Sequence, residues 1–346
     1  MYSYLVLQDP GHNKVYFEQS KQLALAELTL TCEKFTEQCS DVAILHIAGI
    51  RYLSFKSNAE LEAKSLELLS QMSFAFALYE QKDSNGREVL IPISKSFVPN
   101  VDPKISSILK YPGKTNELFT RMMINIARLT GKPSKGTPRL FDPIAGRGTT
   151  LYEGMIYGFD VIGMEIKPQP VQEATQFLKK YFETEKIKHR FDKYKLKGKS
   201  KNPTVQKLEF VYAKDKQLFK NPVNQKKVSF IESNSALANE YFKSNLFDFI
   251  VGDLPYGIAH NNASKSINNS RNPYTFLKDS LDSWLDVLKP GGTIVLAWNS
   301  FLLDMENMRE LMESHGYHTL KGGAFDQFEH MVDRSIKRNV VVAIKK

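Results

Sequence analysis

Residues 139–157 read RLFDPIAGRGTTLYEGMIY, and this stretch decides the fold. Four residues of strand character, 139–142, run into a glycine-rich turn, and an apolar helical stretch begins at Thr149. A second strand-like stretch, Asp160–Glu165, follows. Strand, turn, helix and strand in this order form a βαβ unit, which places two parallel strands in one sheet.

The alternation of strands and helices continues to the last residues. The pattern predicts helices at 116–130, 170–182, 235–242, 275–288 and 304–314, and strands at 228–232, 247–252, 293–298 and 340–344. A KPGG turn is expected at 289–292. The sequence from about residue 100 to 346 therefore predicts an α/β domain, with a mainly parallel sheet covered by helices on both faces.

The first 95 residues predict a separate, small α+β domain with an accessory or docking role. Strands are expected at 4–8, 14–18, 41–48, 50–55 and 74–79, and helices at 21–35 and 58–69. The turn-rich stretches 81–87 and 98–103 are expected to mark the join between the domains, 1–95 and 100–346.

The composition excludes several classes of protein. The chain has 346 residues, 42% of them hydrophobic, and no apolar run reaches the roughly 18 residues that span a bilayer. The N-terminus lacks the pattern of a secretory signal, so a cytoplasmic protein without membrane contact is expected. Cys32 and Cys39 form neither a metal-ligand set nor a disulfide framework, and we expect two reduced thiols.

The positive charge is concentrated in one segment. Residues 186–227 hold 14 of the 47 Lys and Arg residues but only 3 of the 38 Asp and Glu residues, so the rest of the chain is slightly acidic. Such a basic insertion is typical of a surface that binds a polyanion. The alternative is a solvated, partly disordered insertion without a partner.

The glycine turn has the features of a ligand site. In open α/β sheets, ligands bind outside the carboxyl ends of the strands. The carboxylate of Asp142 can accept a hydrogen bond from an ammonium group, and the helix beginning at Thr149 offers donors to a carboxylate. The spacing matches neither the dinucleotide fingerprint nor a phosphate-binding loop. The candidate ligand residues of the turn are Asp142, Pro143, Ala145, Gly146, Gly148, Thr149 and Thr150.

Two later strand ends add candidate ligand residues. Glu165 ends the second strand, where a carboxylate can accept hydrogen bonds from both hydroxyls of a ribose. Asn234 follows the third strand and has two possible roles: it can bond to an adenine edge, or it can cap the helix that begins at Ser235.

A second motif, Asp253–Gly257 (DLPYG), follows the apolar strand at 247–252. The Asp253 carboxylate and the Leu254 carbonyl can accept hydrogen bonds from the two hydrogens of an amino group, because Pro255 constrains a tight turn. Tyr256 can stack on an aromatic ring. These features suit the exocyclic amine of a nucleic-acid base, which becomes nucleophilic only when its nitrogen rehybridises towards sp³. A base must leave its stack, or be unpaired, to reach such a site.

The stretches DPIAGRGTT, VIGMEI and FDFIVGDLPYG together resemble the class I amino-methyltransferases, and most closely the tRNA guanosine-N2 methyltransferases of the THUMP-linked family. The resemblance covers about residues 100–346. It implies a Rossmann-like domain with a mostly parallel seven-stranded sheet, and S-adenosyl-L-methionine as cofactor. Through the stretch LKYPGKT it also implies Lys114 and Thr115 as cofactor-site residues.

The resemblance implies methyl transfer to guanosine N2 in RNA, most plausibly tRNA, which the basic insertion would bind. The first 95 residues depart from the family pattern, because they are too short for a full THUMP domain with its preceding segment. Two alternatives stay open: a DNA adenine-N6 or cytosine-N4 methyltransferase, and a non-catalytic RNA-binding module. The sequence does not determine whether an activator subunit or a second copy of the chain takes part.

Overall fold

The structure, a computed structural model, describes residues 1–11, 13–132, 135–200, 202–255 and 273–346. It divides into two compact units. The first comprises residues 1–98 and 321–338, and the second comprises residues 99–320 and 339–346. The predicted domains placed 321–338 with the second unit, whereas the structure places this segment with the first.

The first unit is an antiparallel sheet accompanied by helices. Its elements within residues 1–98 are β1 (Tyr2–Gln8), α1 (Lys14–Gln19), α2 (Lys21–Cys32), β2 (Cys39–Ile47), β3 (Ile50–Ser57), α3 (Ala63–Ser70), β4 (Ala75–Ser84) and β5 (Arg87–Ile93). The strand order is β2-β3-β1-β4-β5. Leu5, Leu23 and Leu53 are among its fully buried side chains.

Two predictions for this unit are wrong. The strand predicted at 14–18 is helix α1, because the side chain of Asn13 caps it by accepting a hydrogen bond from the backbone N–H of Tyr16. The stretch 81–87 is not a join. Asn85 and Gly86 have φ angles of 57° and 77°, as a tight hairpin turn requires, and they connect β4 to β5.

The second unit contains the α/β domain. Its elements, followed by those of the C-terminal segment, are α4 (Ile105–Ile108), α5 (Glu117–Thr130), β6 (Arg139–Asp142), α6 (Thr149–Ile156), β7 (Asp160–Glu165), α7 (Pro168–Thr184), β8 (Lys188–Leu196), β9 (Val205–Ala213), α8 (Lys216–Phe219), β10 (Lys226–Glu232), α9 (Ala238–Tyr241), β11 (Phe247–Asp253), α10 (Tyr274–Val287), β12 (Leu288–Asn299), α11 (Met305–Ser314), β13 (Tyr317–Thr319), β14 (His330–Met331) and β15 (Lys337–Lys345). Short 3₁₀ turns lie at Pro222–Asn224, Ser235–Leu237 and Gly323–Asp326.

The strands of the α/β domain form one mixed sheet in the order β13-β15-β12-β11-β6-β7-β10-β9-β8, and β14 pairs with β15. The central pairs β12·β11, β11·β6, β6·β7 and β7·β10 are parallel, as predicted. The predicted number of strands is wrong: ten strands are present over the described residues, where seven were expected.

Two of the additional strands, β8 and β9, come from the basic insertion. They pair with each other and extend the sheet from β10 in antiparallel fashion. The loop between them is tied to α9, because the Ser200 N–H donates to Glu240 Oε2 (2.8 Å) and the Tyr241 hydroxyl donates to the Pro203 carbonyl (3.0 Å). In the part of the insertion that the structure describes, β8 and β9 therefore form a hairpin, and α8 and a 3₁₀ turn follow it.

Local sequence signals explain the bounds of two central elements. Helix α5 begins after Asn116, whose Oδ1 accepts hydrogen bonds from Leu118 N (2.9 Å) and Phe119 N (3.2 Å). The expected KPGG turn is part of β12. Gly291, with a φ of 76°, lies at an irregularity where the register against β11 shifts.

Candidate active site

Three carboxylates stand at the carboxyl ends of neighbouring parallel strands. Asp142 ends β6, Glu165 ends β7 and Asp253 ends β11. These strands lie in the order β11-β6-β7, so the three side chains share one edge of the sheet. Ligands of open α/β sheets bind at this edge.

A cavity of about 220 Å³ opens at this edge. Nine of the predicted site residues line it: Thr115, Asp142, Ala145, Gly146, Thr149, Thr150, Asp253, Leu254 and Pro255. Five further lining residues were not predicted as site residues: Tyr111, Gly113, Ile144, Arg147 and Pro170. Within the described part of the chain, Lys114, Pro143, Gly148, Glu165 and Asn234 are not lining residues. Tyr256 lies outside the described residues.

The glycine turn is held between β6 and β7. The Ala145 N–H donates to the Met164 carbonyl (2.9 Å), and the Gly148 N–H donates to the Ala145 carbonyl (2.7 Å). Gly148 has a φ of 90°, and a Cβ there would lie 3.0 Å from the ring of Phe230. Gly148 therefore lies on the side of the turn that faces Phe230, whereas Ala145 and Gly146 line the cavity.

Asp142 is almost completely buried, with 2% of its surface exposed. Burial above all, together with the negative charges of Glu165 and Asp253, raises the pKa of its carboxyl group to about 7. Hydrogen bonds from the Ile144 N–H (2.9 Å) and the Thr150 hydroxyl oppose this shift. A cation placed in the cavity would be stabilised by this carboxylate and would lower its pKa.

Glu165 supports the glycine turn from the next strand. Its Oε2 accepts a hydrogen bond from Gly146 N (3.1 Å), and its Oε1 accepts one from Lys167 N (2.9 Å). Each carboxylate oxygen can accept a second hydrogen bond. The following side chain, Ile166, is 60% exposed and provides an apolar surface beside the carboxylate.

Asp253 is joined to a segment that lies far away in the sequence. The hydroxyl of Thr115, just before α5, donates to Asp253 Oδ2 at 2.5 Å. The next residue, Leu254, donates its N–H to the Ala297 carbonyl (2.8 Å) and buries its side chain in the core. Asp253 is therefore held by Thr115 on one side and by the anchored Leu254 on the other.

Tyr111 and Arg147 complete the wall beside Thr149. The hydroxyl groups of Tyr111 and Thr149 are 3.1 Å apart, and the Arg147 guanidinium lies 4.4 Å from the centre of the Tyr111 ring. Arg147 also forms an ion pair with Glu173. Burial raises the pKa of Tyr111, which keeps the phenol protonated.

Two predicted cofactor residues have other contacts. The Lys114 ammonium donates to the Ser106 carbonyl (2.5 Å) and pairs with Glu117, so it supports the loop that carries Thr115. Asn234 is exposed, and its Oδ1 accepts a hydrogen bond from Ala236 N (3.0 Å). Of its two expected roles, the capping role is the one that the structure displays.

The basic insertion presents its charge mainly from exposed side chains of the hairpin. Lys193, Lys195 and Lys197 are exposed. Arg190 pairs with Asp192 (2.6 Å), and Lys207 pairs with the nearly buried Glu209. Strand β8 is separated from β11 by four strands, which places it about 24 Å from the end of β11.

Neither a metal site nor a membrane span is found in the described ranges. No group of three or more His, Cys, Asp or Glu side chains there could hold a metal ion. No described helix is both long enough and apolar enough to cross a membrane.

The second unit thus has an open α/β fold with a cavity at the carboxyl edge of its parallel strands. No family model matches the chain. No curated protein matches it either.

Solved structures to which the chain is similar include TrmN from Thermus thermophilus, with 11% identity over the whole of both chains and a TM-score of 0.45. A methyltransferase from Pyrococcus furiosus has 14% identity over 69% of this chain and 88% of its own, with a TM-score of 0.40. A TehB-like SAM-dependent methyltransferase from Corynebacterium glutamicum has 12% identity over 62% and 83%, with a TM-score of 0.33. Similarity at this level does not transfer the activity of any of these proteins to the chain.

Proposed function

We propose that the protein is an S-adenosyl-L-methionine-dependent methyltransferase that acts on the exocyclic amino group of a nucleic-acid base, namely guanosine N2 in tRNA. One observation carries the proposal. The cavity has Asp142 and the glycine turn on one wall, and Asp253, fixed by Thr115, on another. A site for a cationic amino-acid group and an acceptor for amino hydrogens thus open into the same space.

The residues present fit the cofactor. The described hydrogen-bond partners of Asp142 are the Ile144 N–H and the Thr150 hydroxyl, which are both neutral, so the carboxylate would gain from the ammonium of a bound amino acid. Glu165 has acceptor capacity left for ribose hydroxyls, and the exposed Ile166 can pack against an adenine ring. Gly146 lets the ligand approach the backbone closely.

The cofactor supplies an electrophilic methyl group bound to a sulfonium. The protein's task is to make the amino nitrogen nucleophilic and to position it. Asp253 accepts one amino hydrogen, and the Leu254 carbonyl accepts the other, which favours an sp³ nitrogen and disperses its developing positive charge. Thr115 holds the carboxylate in place for this contact. Tyr256 would stack on the base, and the proton lost after transfer would pass to Asp253 or to water.

Two features favour RNA rather than DNA as the substrate: the resemblance of the motifs and the basic hairpin. Exposed lysines of residues 186–227 would contact phosphates at a distance from the reacting edge that a folded RNA can bridge. The same acceptors would also suit adenine N6 or cytosine N4 in DNA, so the substrate has to be tested directly.

The test is transfer of labelled methyl groups to total tRNA and to genomic DNA in parallel. We expect label in tRNA, recovered as N2-methylguanosine after digestion to nucleosides. Label in DNA alone would establish the DNA alternative. Absence of label in both, together with absence of cofactor binding by calorimetry, would establish the non-catalytic RNA-binding alternative.

A further inference from the structure

The turn that follows β12 is held by three hydrogen bonds and carries an exposed aromatic ring. The Leu302 N–H donates to the Asn299 carbonyl (3.0 Å), and the Phe301 N–H donates to Asn299 Oδ1 (3.2 Å). The indole of the fully buried Trp298 donates to the Leu303 carbonyl at 2.6 Å. The backbone is thus fixed on both sides of Phe301, yet 57% of the Phe301 side chain is exposed.

Phe301 forms one wall of a groove of about 380 Å³, and Tyr274, the first residue of α10, forms another. Tyr274 is 42% exposed. The groove also has the polar side chains of Ser300, Asp304 and Asn307, and the Asp304 carboxylate accepts hydrogen bonds from the backbone N–H and the side-chain amide of Asn307. Single exposed apolar residues are ordinary on protein surfaces, but two aromatic rings lining one groove with polar neighbours are typical of a binding surface.

The groove lies at the reacting edge of the sheet. Asp253 of β11 is paired in register with Ala297 of β12. Asn299 follows Ala297 by two residues, and the turn at Asn299 leads directly to Phe301. We estimate the distance from the spacing between β11 and β12, the rise of two residues along β12 and the size of the turn. Together they place Phe301 within about 15 Å of Asp253. A nucleotide next to a target base held at Asp253 can therefore reach the groove.

We propose that the groove between Tyr274 and Phe301 holds an unpaired base of the nucleic-acid substrate, next to the base that is methylated. This proposal rests on the function proposed above. Aromatic side chains bind single-stranded nucleic acid by stacking on the faces of the bases, and this contact tolerates any base. The polar rim can then hydrogen-bond to the edge of the stacked base. The groove would help to hold the target base out of its stack.

The basic hairpin and the groove lie on opposite sides of Asp253 in the strand order, since β8 ends the sheet on one side of β11 and β12 is the neighbour of β11 on the other side. A strand that crosses the carboxyl edge would thus be held by its phosphates on one side of the target and by a base on the other.

The test compares Phe301→Leu, which keeps an apolar side chain of similar size but removes the ring, with Phe301→Trp, which keeps a stacking face. Binding of a short single-stranded RNA with one guanosine is measured by fluorescence anisotropy, with either an adenosine or an abasic residue on each side of the guanosine. We expect Phe301→Leu to weaken binding by about 5- to 100-fold and Phe301→Trp to bind like the wild type. With abasic neighbours, wild type and Phe301→Leu should bind equally weakly.

Equal binding of the adenosine-flanked RNA by wild type and Phe301→Leu would overturn the proposal. So would an equal loss with both RNAs, because the ring would then not be contacting a neighbouring base. Thermal unfolding of each variant checks that the fold is intact, and Tyr274→Leu provides a second, independent variant. Methyl transfer to tRNA by the wild type separates the two proposals. Transfer with unchanged RNA binding by Phe301→Leu refutes the groove alone, whereas absence of transfer to any nucleic acid refutes the function on which it rests.

Discussion

Replacing Asp142 with asparagine should stabilise the folded protein near pH 8 and weaken its binding of the cofactor. Asparagine has nearly the same shape, and its Oδ1 can still accept the hydrogen bond from Ile144 N. What the substitution removes is a buried negative charge that, in the folded protein, is paired with neutral donors. The buried charge therefore lowers the free energy of unfolding of the ligand-free protein. An ion pair with the cofactor's ammonium would offset this loss.

The magnitude follows from the pKa of Asp142, which is raised from 3.8 to about 7. A rise of about 3 units corresponds to about 4 kcal/mol of preference for the protonated form in the folded state. The folded state holds the proton of Asp142 more tightly than the unfolded state does. The contribution of this proton to the free energy of unfolding is therefore fully present below pH 3.8. It is lost progressively as the pH rises to about 7.

Urea unfolding of wild type and Asp142→Asn at pH 5.5 and pH 7 measures this effect. Relative to the variant, the wild type should lose about 2 kcal/mol of unfolding free energy over that interval and little more above it. Calorimetry with S-adenosylhomocysteine, the demethylated cofactor, should show wild-type affinity rising by up to tenfold per unit between these pH values, whereas the variant's affinity should be weaker and flat. A constant stability difference between the two proteins, or equal affinities at pH 7, would refute the reasoning.

Three further predictions concern the other parts of the site. Thr115→Val removes the hydrogen bond to Asp253 and should lower kcat by about 10- to 100-fold with less than a threefold change in cofactor Kd, and Thr115→Ser should restore kcat; an unchanged kcat for the valine variant would show that the hydroxyl does not position Asp253. Glu165→Ala should weaken binding of S-adenosylhomocysteine by about tenfold or more but should bind a 2′,3′-dideoxyribose analogue as the wild type does; equal losses for both ligands would mean that Glu165 acts only by supporting the glycine turn. Replacing Lys193 and Lys195 by glutamine should weaken tRNA binding and reduce the slope of log K against log salt by about 1 to 2, whereas the same change at the exposed Lys243 and Lys346 should leave the slope unchanged; equal slopes for both pairs would argue against the hairpin as the phosphate-binding surface.

The central βαβ unit could be predicted from the sequence because its signals are local. Strands β6 and β7 have the predicted bounds, Arg139–Asp142 and Asp160–Glu165. The strand ends at Asp142, Glu165 and Asp253 then share an edge because parallel strands end on the same side. Nine of the predicted site residues line one cavity for this reason.

The remaining features depend on contacts between distant residues. Thr115 and Asp253 are 138 positions apart, and only the resemblance to a family suggested Thr115. The basic insertion was predicted only as a charged segment, and no strand was assigned to it. The alternation of lysines with apolar residues at 193–197 is typical of a strand, but the pairing of β9 with β8 and β10 depends on residues outside that local pattern. Residues 321–338 follow β13 directly, and nothing in their local pattern indicates that they belong to the first unit.

Asp253→Ala is the most direct test of the central claim, which is that one cavity holds the cofactor against Asp142 while Asp253 acts on the amino group. Cofactor Kd by calorimetry and the rate of methyl transfer to tRNA are measured on the same preparation. We expect a Kd within about twofold of the wild type and a rate lower by about 10²- to 10⁴-fold. A wild-type rate, or a cofactor affinity that falls as far as the rate, would contradict it.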